Sequence, residues 1–342
     1  MSGFCPHPFN RVHLATNGDV YICCRAWCNV SLGNIFNSDF EAIWNSDNAK
    51  LIRESIFDGS FRFCNKKMCP LIVSGRHETS GAPIRFKEIY EKKQWKLDFG
   101  PEHISVNYDN SCNIQCKACR NHLIMIDKEN AQKLIEFNNS LINSDLFKNA
   151  KRVLVGGNGE VFASPVYLDF LSRMDEKKYP NLKITIRTNG QLLNPANWEK
   201  INNAHYAIDE VNISIDAATK NTYEEIRYGG KFDKLLGNLE FIKKLKRNNQ
   251  FLLIVNFLVQ QRNFTEMIPF VKLAKKYDVD TINFSQLDNR GTYSHEEYSC
   301  LAVQKKEHSQ FKELENIVND PIFDDPKIFL SNLSFLRKTQ KI

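Results

Sequence analysis

The stretch "SCNIQCKACR" places three cysteines within eight positions, spaced Cys112-x3-Cys116-x2-Cys119. Thiols at that density suit a metal centre. A structural zinc takes four protein ligands, and a 4Fe–4S cluster takes one thiolate per iron. Three cysteines therefore satisfy three irons and leave the fourth open to a small molecule. A zinc knuckle that borrows a distant fourth ligand such as His122 is the competing reading. A second group (Cys5, Cys23, Cys64 and Cys69, with Cys24 and Cys28 beside them) lies near the N-terminus, and Cys300 stands alone. The histidines His7, His13, His77, His103, His122, His205, His295 and His308 form no evident pair of metal ligands and read as ordinary.

Composition sets the frame for this chemistry. The chain has 342 residues, 42% hydrophobic and 25% charged, which suits a large domain plus a small one. The net charge of +6 comes from Lys and Arg spread along helices such as "FIKKLKRNNQ". That pattern suits solvated faces and counts against a nucleic-acid surface, since no basic-aromatic stripe accompanies it. The N-terminal MSGFCPHPFN lacks a basic segment followed by an apolar run, and "FLLIVNFLV" is too short to span a bilayer. The expected compartment is cytoplasmic, where thiols stay reduced and ten cysteines argue for metal or redox chemistry over disulfides.

The elements that position the triplet follow from periodicity. After about residue 100, strand-like and helix-like stretches alternate. "HISVNYD", "RVLVGG", "KITIRTNG", "EVNISID", "FLLIVNFLV" and "TINFSQL" read as six strands. Between them lie helical segments such as 127–144, "SPVYLDFLSRM" with Ser164 as N-cap, and "NPANWEKINN" with Asn194 as N-cap. Repeated β/α steps demand parallel strands with right-handed crossovers. Six steps fall short of eight, so the expected fold is α/β: a partial (β/α)6 TIM-type barrel, with function at the C-terminal strand ends. The triplet directly follows the first of these strands. The N-terminal part reads as a small loop-rich unit. It has a hairpin across "NGD" and one or two helices in "SDFEAIWNSDNAKLIRESIF", and a metal staple would compensate for its thin core. The expected divisions are 1–73 auxiliary domain, 74–100 linker or bridging segment, 101–290 barrel and 291–342 polar tail, placed to cap the barrel mouth.

With that placement, the triplet resembles the signature of the radical SAM superfamily. The resemblance implies a 4Fe–4S cluster on Cys112, Cys116 and Cys119 whose open iron binds the amino and carboxylate groups of S-adenosylmethionine. "GGNGE", with Gly156, Gly157, Gly159 and Glu160, resembles the family's segment that accepts the methionine ammonium. "RTNG", with Thr188 and Asn189, resembles a further cofactor loop. Ser214 and Asp216, two apart and expected on one strand face, would contact the ribose and methionine regions. Arg227 is the expected partner of the methionine carboxylate, since guanidinium pairs with carboxylate in bidentate fashion. Val259 ends the fifth strand, where the family lines the adenine. One departure stands out: the family usually has an aromatic just before the third cysteine, and here that residue is Ala118.

Cys5-x12-Gly18-x4-Cys23 and "LGNIFNSDFEAIWNS" resemble the SPASM auxiliary-cluster module, here ahead of the barrel. The resemblance runs from residue 4 to about residue 290. The full module has seven cysteines for two clusters, whereas this chain offers Cys5, Cys23, Cys64 and Cys69 for one auxiliary 4Fe–4S cluster. Cys24 and Cys28 are then spare, with Cys24 and Cys23 interchangeable from sequence, and zinc in the same four cysteines is the competing reading. The family implies reductive cleavage of S-adenosylmethionine to a 5′-deoxyadenosyl radical and removal of a substrate hydrogen atom. The substrate radical would then be oxidised through the auxiliary cluster, with a reductase or flavodoxin-type protein as electron donor. A redox-neutral epimerase or rearrangement enzyme, with Cys300 returning the hydrogen atom, is one rival. A non-catalytic zinc or nucleic-acid-binding module is another. With no spare segment the size of an appended peptide-binding domain, a small molecule or short peptide is the expected substrate.

Overall fold

The computed structural model describes residues 3–75, 84–248 and 251–337. His77, part of the 74–100 segment and the last residues of the tail lie outside the described residues. The chain forms two compact units: Met1–Asn110, Ile126–Asn158 and Pro165–Ile184 make unit 1, and Ser111–Met125, Gly159–Ser164 and Thr185–Ile342 make unit 2.

Unit 1 begins with the expected hairpin. β1 (Arg11–Ala15) pairs antiparallel with β2 (Asp19–Tyr21) around Gly18, whose N–H meets the Ala15 carbonyl at 2.9 Å. β2 continues to the short β3 (Gly33–Asn34). β1 also pairs in parallel with β4 (His103–Asn107), and β4 with β5 (Arg152–Val155). The parallel series thus gains a strand from the N-terminal segment, which local periodicity could not announce. Between β3 and β4 lies helix α1 (Asp47–Phe57), capped by the Ser46 side chain. Between β4 and β5 lies α2 (Lys128–Asn143), capped by Asp127, and α3 (Pro165–Ser172) follows β5.

The 74–100 segment does more than bridge. Phe86, Ile89 and Leu97 are buried, and Phe86 and Tyr90 join Phe4, Phe9 and Phe57 in a cluster of aromatic rings. Arg53 is fully buried against the Trp44 ring and donates to the carbonyls of Pro8 at 2.9 Å and Trp95 at 2.8 Å. Burial pushes its pKa down to about 9. The core that the first 70 residues lack by themselves is completed by residues 84–99.

Unit 2 carries the rest of the β/α series. The strands are β6 (Lys183–Thr188, in unit 2 from Thr185 on), β7 (Ile208–Ser214), β8 (Leu252–Val259) and β9 (Thr281–Gln286). β7, β8 and β9 pair in parallel. The helices are α4 (Pro195–Glu199, capped by Asn194 as expected), α5 (Lys220–Ile226), α6 (Phe232–Asn248) and α7 (Met267–Lys276). Phe257 and Phe284 pack on Phe270 of α7 with ring centroids 4.9 and 5.9 Å away, so the odd face of β8 and the even face of β9 meet the helix layer. All six strands read from the sequence are present.

The polar tail is built into unit 2. It forms α8 (His295–Leu301), α9 (Phe311–Val318) and β10 (Ile328–Phe329), which pairs in parallel with β9. Leu314, Val318, Leu333 and Leu336 are buried. Its few apolar residues sit at spacings that fill one helix face and one strand, so a polar average conceals a structural role.

Candidate active site and metal centres

The triplet loop of unit 2 is folded by its own backbone. Cys112 N–H donates to the Ile124 carbonyl at 2.8 Å, and the N–H groups of Cys119 and Arg120 both donate to the Cys116 carbonyl, at 2.8 and 2.9 Å. Each sulfur then accepts from a different side chain. Asn189 Nδ2 lies 3.7 Å from Cys112 Sγ, an Arg227 NH group 3.6 Å from Cys116 Sγ, and an Arg120 NH group 3.6 Å from Cys119 Sγ. Hydrogen bonds to cluster sulfurs are a principal control of reduction potential. Burial raises the pKa of both Cys112 and Cys116, with Arg227 the main opposing influence on Cys116. Bound iron would replace the proton and supply the missing compensation.

Arg227 ends α5 and is not the surface cation that a helix end suggests. Its guanidinium lies 2.5 Å from the Asp216 carboxylate, with 12% and 6% of the two side chains exposed. Burial opposes the charge, but Asp216 first, then Cys116 and Tyr223, outweigh it and raise the Arg227 pKa. Its Nε is buried without a hydrogen-bond partner among the described residues. Asp216 does not share a strand face with Ser214. β7 ends at Ser214, and Asp216 adopts a left-handed backbone with φ 66°, so strand alternation stops before it. From there it also accepts the Leu258 N–H at 2.8 Å.

Glu160 is 1% exposed. Its carboxylate accepts from Thr188 Oγ1 at 2.5 Å, the Asn189 N–H at 2.6 Å and the Phe162 N–H at 3.3 Å. Burial raises its pKa against these bonds. A carboxylate has about four acceptor positions, so roughly one remains for a further donor. Glu160 thereby ties its own segment to the Thr188–Asn189 loop, which places the amide of Asn189 against Cys112. Gly190, at φ 76°, closes that loop where a Cβ would stand 2.7 Å from Leu235 Cδ1. Ser214 is half-buried at the strand end, and the Val259 side chain is fully buried, its carbonyl taken by the Leu287 N–H at 3.0 Å. Gly159 is half-buried. Cys300 is exposed on α8. In unit 1, Gly156 is at φ 79°, and a Cβ on Gly157 would meet Asn107 Oδ1 at 2.4 Å, a cradle in which Oδ1 is itself buried and unpartnered among the described residues.

Two residues near the triplet carried no sequence signal strong enough to select them. Arg120 adjoins Cys119, and the basic residue beside the motif was its only trace. Tyr293, before α8, lies 5.9 Å from Lys117 Nζ and within charge range of Cys116 and Asp216.

In unit 1 a cavity is lined by five thiols: Cys5, Cys23, Cys28, Cys64 and Cys69. Cys24 is exposed and does not line it, so Cys28, read as spare, stands where the ligands stand. His7, read as ordinary, also lines the cavity, its Nδ1 4.0 Å from Cys23 Sγ. Burial, with Arg11 and His103 nearby, lowers its pKa to about 4. Burial pushes the thiols up, Cys5 to about 11 and Cys64 to about 12. Among the described residues no three His, Cys, Asp or Glu side chains converge on a single-ion site. The five thiols line one cavity, an arrangement that suits a four-iron body with one thiolate per iron.

The radical SAM superfamily model matches residues 106–274, and the SPASM iron–sulfur cluster-binding domain model matches residues 5–70. The chain belongs to the radical SAM superfamily. The two domains imply a 4Fe–4S cluster, an auxiliary iron–sulfur cluster and S-adenosylmethionine as cofactors. Curated relatives include a GTP 3′,8-cyclase of Clostridium perfringens, 25% identical over 182 residues covering 52% of this chain and 53% of that protein. A probable GTP 3′,8-cyclase of Saccharolobus islandicus is 24% identical over 219 residues, 64% of each chain. The chain thus spans about half to two-thirds of the length of these relatives. Similar solved structures include Streptococcus suis SuiB (15% identity, 93% of this chain and 69% of that one, TM-score 0.47). Another is anSMEcpe with bound AdoMet (18% identity, 65% and 59%, TM-score 0.44). Among the described residues no helix is long and apolar enough to cross a membrane.

Proposed function

We propose that this radical SAM enzyme oxidises a small polar molecule or short peptide by two electrons. When bound, the triplet's cluster and S-adenosylmethionine supply a 5′-deoxyadenosyl radical that takes a hydrogen atom from an unactivated C–H bond, and the auxiliary cluster supplies an acceptor for the second electron. The observation that carries this reading is the set of three triplet sulfurs, each with its own N–H donor, beside a buried Arg227 Nε that has no partner among the described residues. That free donor suits the methionine carboxylate. The remaining acceptor position of Glu160 suits the ammonium, and Gly159 beside it leaves backbone room. Thr188, Asn189, Ser214, Asp216 and Val259 complete the cofactor side by holding the surrounding loops. Tyr293 supplies an aromatic face where Ala118 offers none. A reductase or flavodoxin-type protein delivers the electron that starts each cycle.

The substrate class rests on the face of β7–β9 turned away from α7. Asn283 Nδ2 donates to Asn256 Oδ1 at 3.2 Å, and Asn256 Nδ2 donates to Asn212 Oδ1, in a half-buried ladder on the side that Ser214 occupies. Barrel interiors are ordinarily filled by branched apolar side chains. A polar row in their place suits a hydrogen-bonding substrate.

Anaerobic turnover with S-adenosylmethionine, a reductant and a panel of polar metabolites, short peptides and GTP tests the reading. One 5′-deoxyadenosine per molecule of substrate oxidised by two electrons is expected. Solvent deuterium at an inverted centre without net oxidation would replace it with the redox-neutral reading that uses Cys300. Absence of 5′-deoxyadenosine under reducing conditions would overturn it.

A further inference from the structure

The strand face of unit 2 that carries the asparagine ladder also carries positive charge that the chain leaves unpaired. On β6, Ile186 is fully buried, so its neighbour Arg187 projects to the opposite face. On β7, Ile213 lies with Leu235 of α6 against Gly190, which leaves Glu210, Asn212 and Ser214 on the other side. Arg187 is within charge range of Glu210, and Glu210 Oε1 accepts Asn212 Nδ2 at 3.4 Å, so Arg187 stands on the ladder's side of the strands. Arg187 is exposed, yet burial is the largest influence on its pKa and lowers it. A side chain surrounded by protein but open to water stands in a concavity.

Arg290 shares that space. It is exposed in the loop between β9 and α8 and is the second cation in range of Arg187, whose charge it opposes. Neither arginine has a hydrogen bond or ion pair among the described residues. Elsewhere in unit 2, Arg227, Arg247, Arg262 and Arg337 each pair with a carboxylate. Two residues beyond Arg290, Thr292 Oγ1 is buried with no partner among the described residues, so one loop holds an unused hydroxyl as well as an unused guanidinium. Glu210 answers one of the two charges. The repulsion that remains is relieved when an anion binds.

We propose that Arg187 and Arg290 bind an oxyanion of the substrate, a carboxylate or a phosphate, beside the Asn212–Asn256–Asn283 ladder. The inference rests on the reading that this face receives the substrate, and it narrows that substrate from polar to anionic. Guanidinium offers paired N–H donors that match either oxyanion. The two arginines orient the substrate and take no part in removing its hydrogen atom.

The test titrates anaerobically reconstituted holoprotein, with S-adenosylmethionine bound, against pyrophosphate and succinate by calorimetry at constant ionic strength. One of the two anions should bind saturably at one site per chain, and the tighter one identifies the group as phosphate or carboxylate. Arg187→Gln and Arg290→Gln should each weaken that binding by about tenfold. Lys244→Gln removes one exposed charge from α6 and should leave it unchanged. No saturable anion binding, unaltered affinity in both arginine variants, or an equal loss in Lys244→Gln overturns the assignment. Both arginine variants should bind S-adenosylmethionine as the parent does. If Arg187→Gln does not, the adjoining Thr188–Asn189 loop has moved, and Arg290→Gln, on a different loop, decides. Formation of 5′-deoxyadenosine is recorded on the same samples. Its absence with anion binding intact counts against the proposed oxidation and not against the site; its presence without anion binding does the reverse.

Discussion

Arg227 touches Asp216 on one side and the Cys116 sulfur on the other, so a single guanidinium links residues that the sequence could only name separately. Removing either partner of a buried pair strands the other as an uncompensated charge. Arg227→Met and Asp216→Asn should each lower stability by about 3–5 kcal/mol. The double variant should lose less than the sum, because neither charge is then left alone. Denaturant titration of the four proteins measures the coupling, and additive losses would show that the pair is not coupled. The identity of Arg227 as a cation near the cofactor was legible from "EEIRYGG". Its contact with Cys116 was not, since residues 111 positions apart meet only through the fold.

At the scale of elements, strand and helix periodicity located all six β/α steps, and Asn194 was readable as a cap because a side-chain cap acts within three residues. What escaped were partners distant in sequence: β1 beside β4, β10 beside β9, and the 84–99 segment inside the small unit's core. The loop from Thr188 to Gln191 is decided by both kinds of information. Gly190 permits φ 76°, and its bare Cα lets Leu235 and Ile213 approach. Gly190→Ala should cost about 1–3 kcal/mol, through left-handed strain and overpacking. It should also shift the Asn189 amide off Cys112. Thermal unfolding and the EPR spectrum of the triplet's cluster together check this, and a variant with unchanged stability would show that the loop relaxes freely.

For the whole molecule, each unit holds the thiols of one centre. Anaerobically reconstituted protein should carry about eight irons per chain, four for each cluster. The Cys112, Cys116 and Cys119 triple alanine variant should keep about four and lose all cleavage of S-adenosylmethionine. Iron analysis with product chromatography checks both. Retention of eight irons, or of cleavage, would contradict the division between the two centres.

Spacing by itself narrowed the chemistry: three thiols in eight residues, placed after a strand, suit a metal centre, and the resemblance to the radical SAM signature is what favoured a cluster with one open iron over a zinc knuckle. Periodicity determined the strand count, because burial of one face imposes a period that neighbours in sequence must obey. Tertiary structure alone decided which thiols meet. Cys28 lines the auxiliary cavity and Cys24 does not, although only three residues separate them, because one backbone turn sends one inward and the other to solvent. It alone placed His7 beside Cys23, and gave each triplet sulfur its donor from Asn189, Arg227 or Arg120. Hydrogen bonds act over about 3 to 4 Å, and such proximity, unlike periodicity, leaves no trace along the chain.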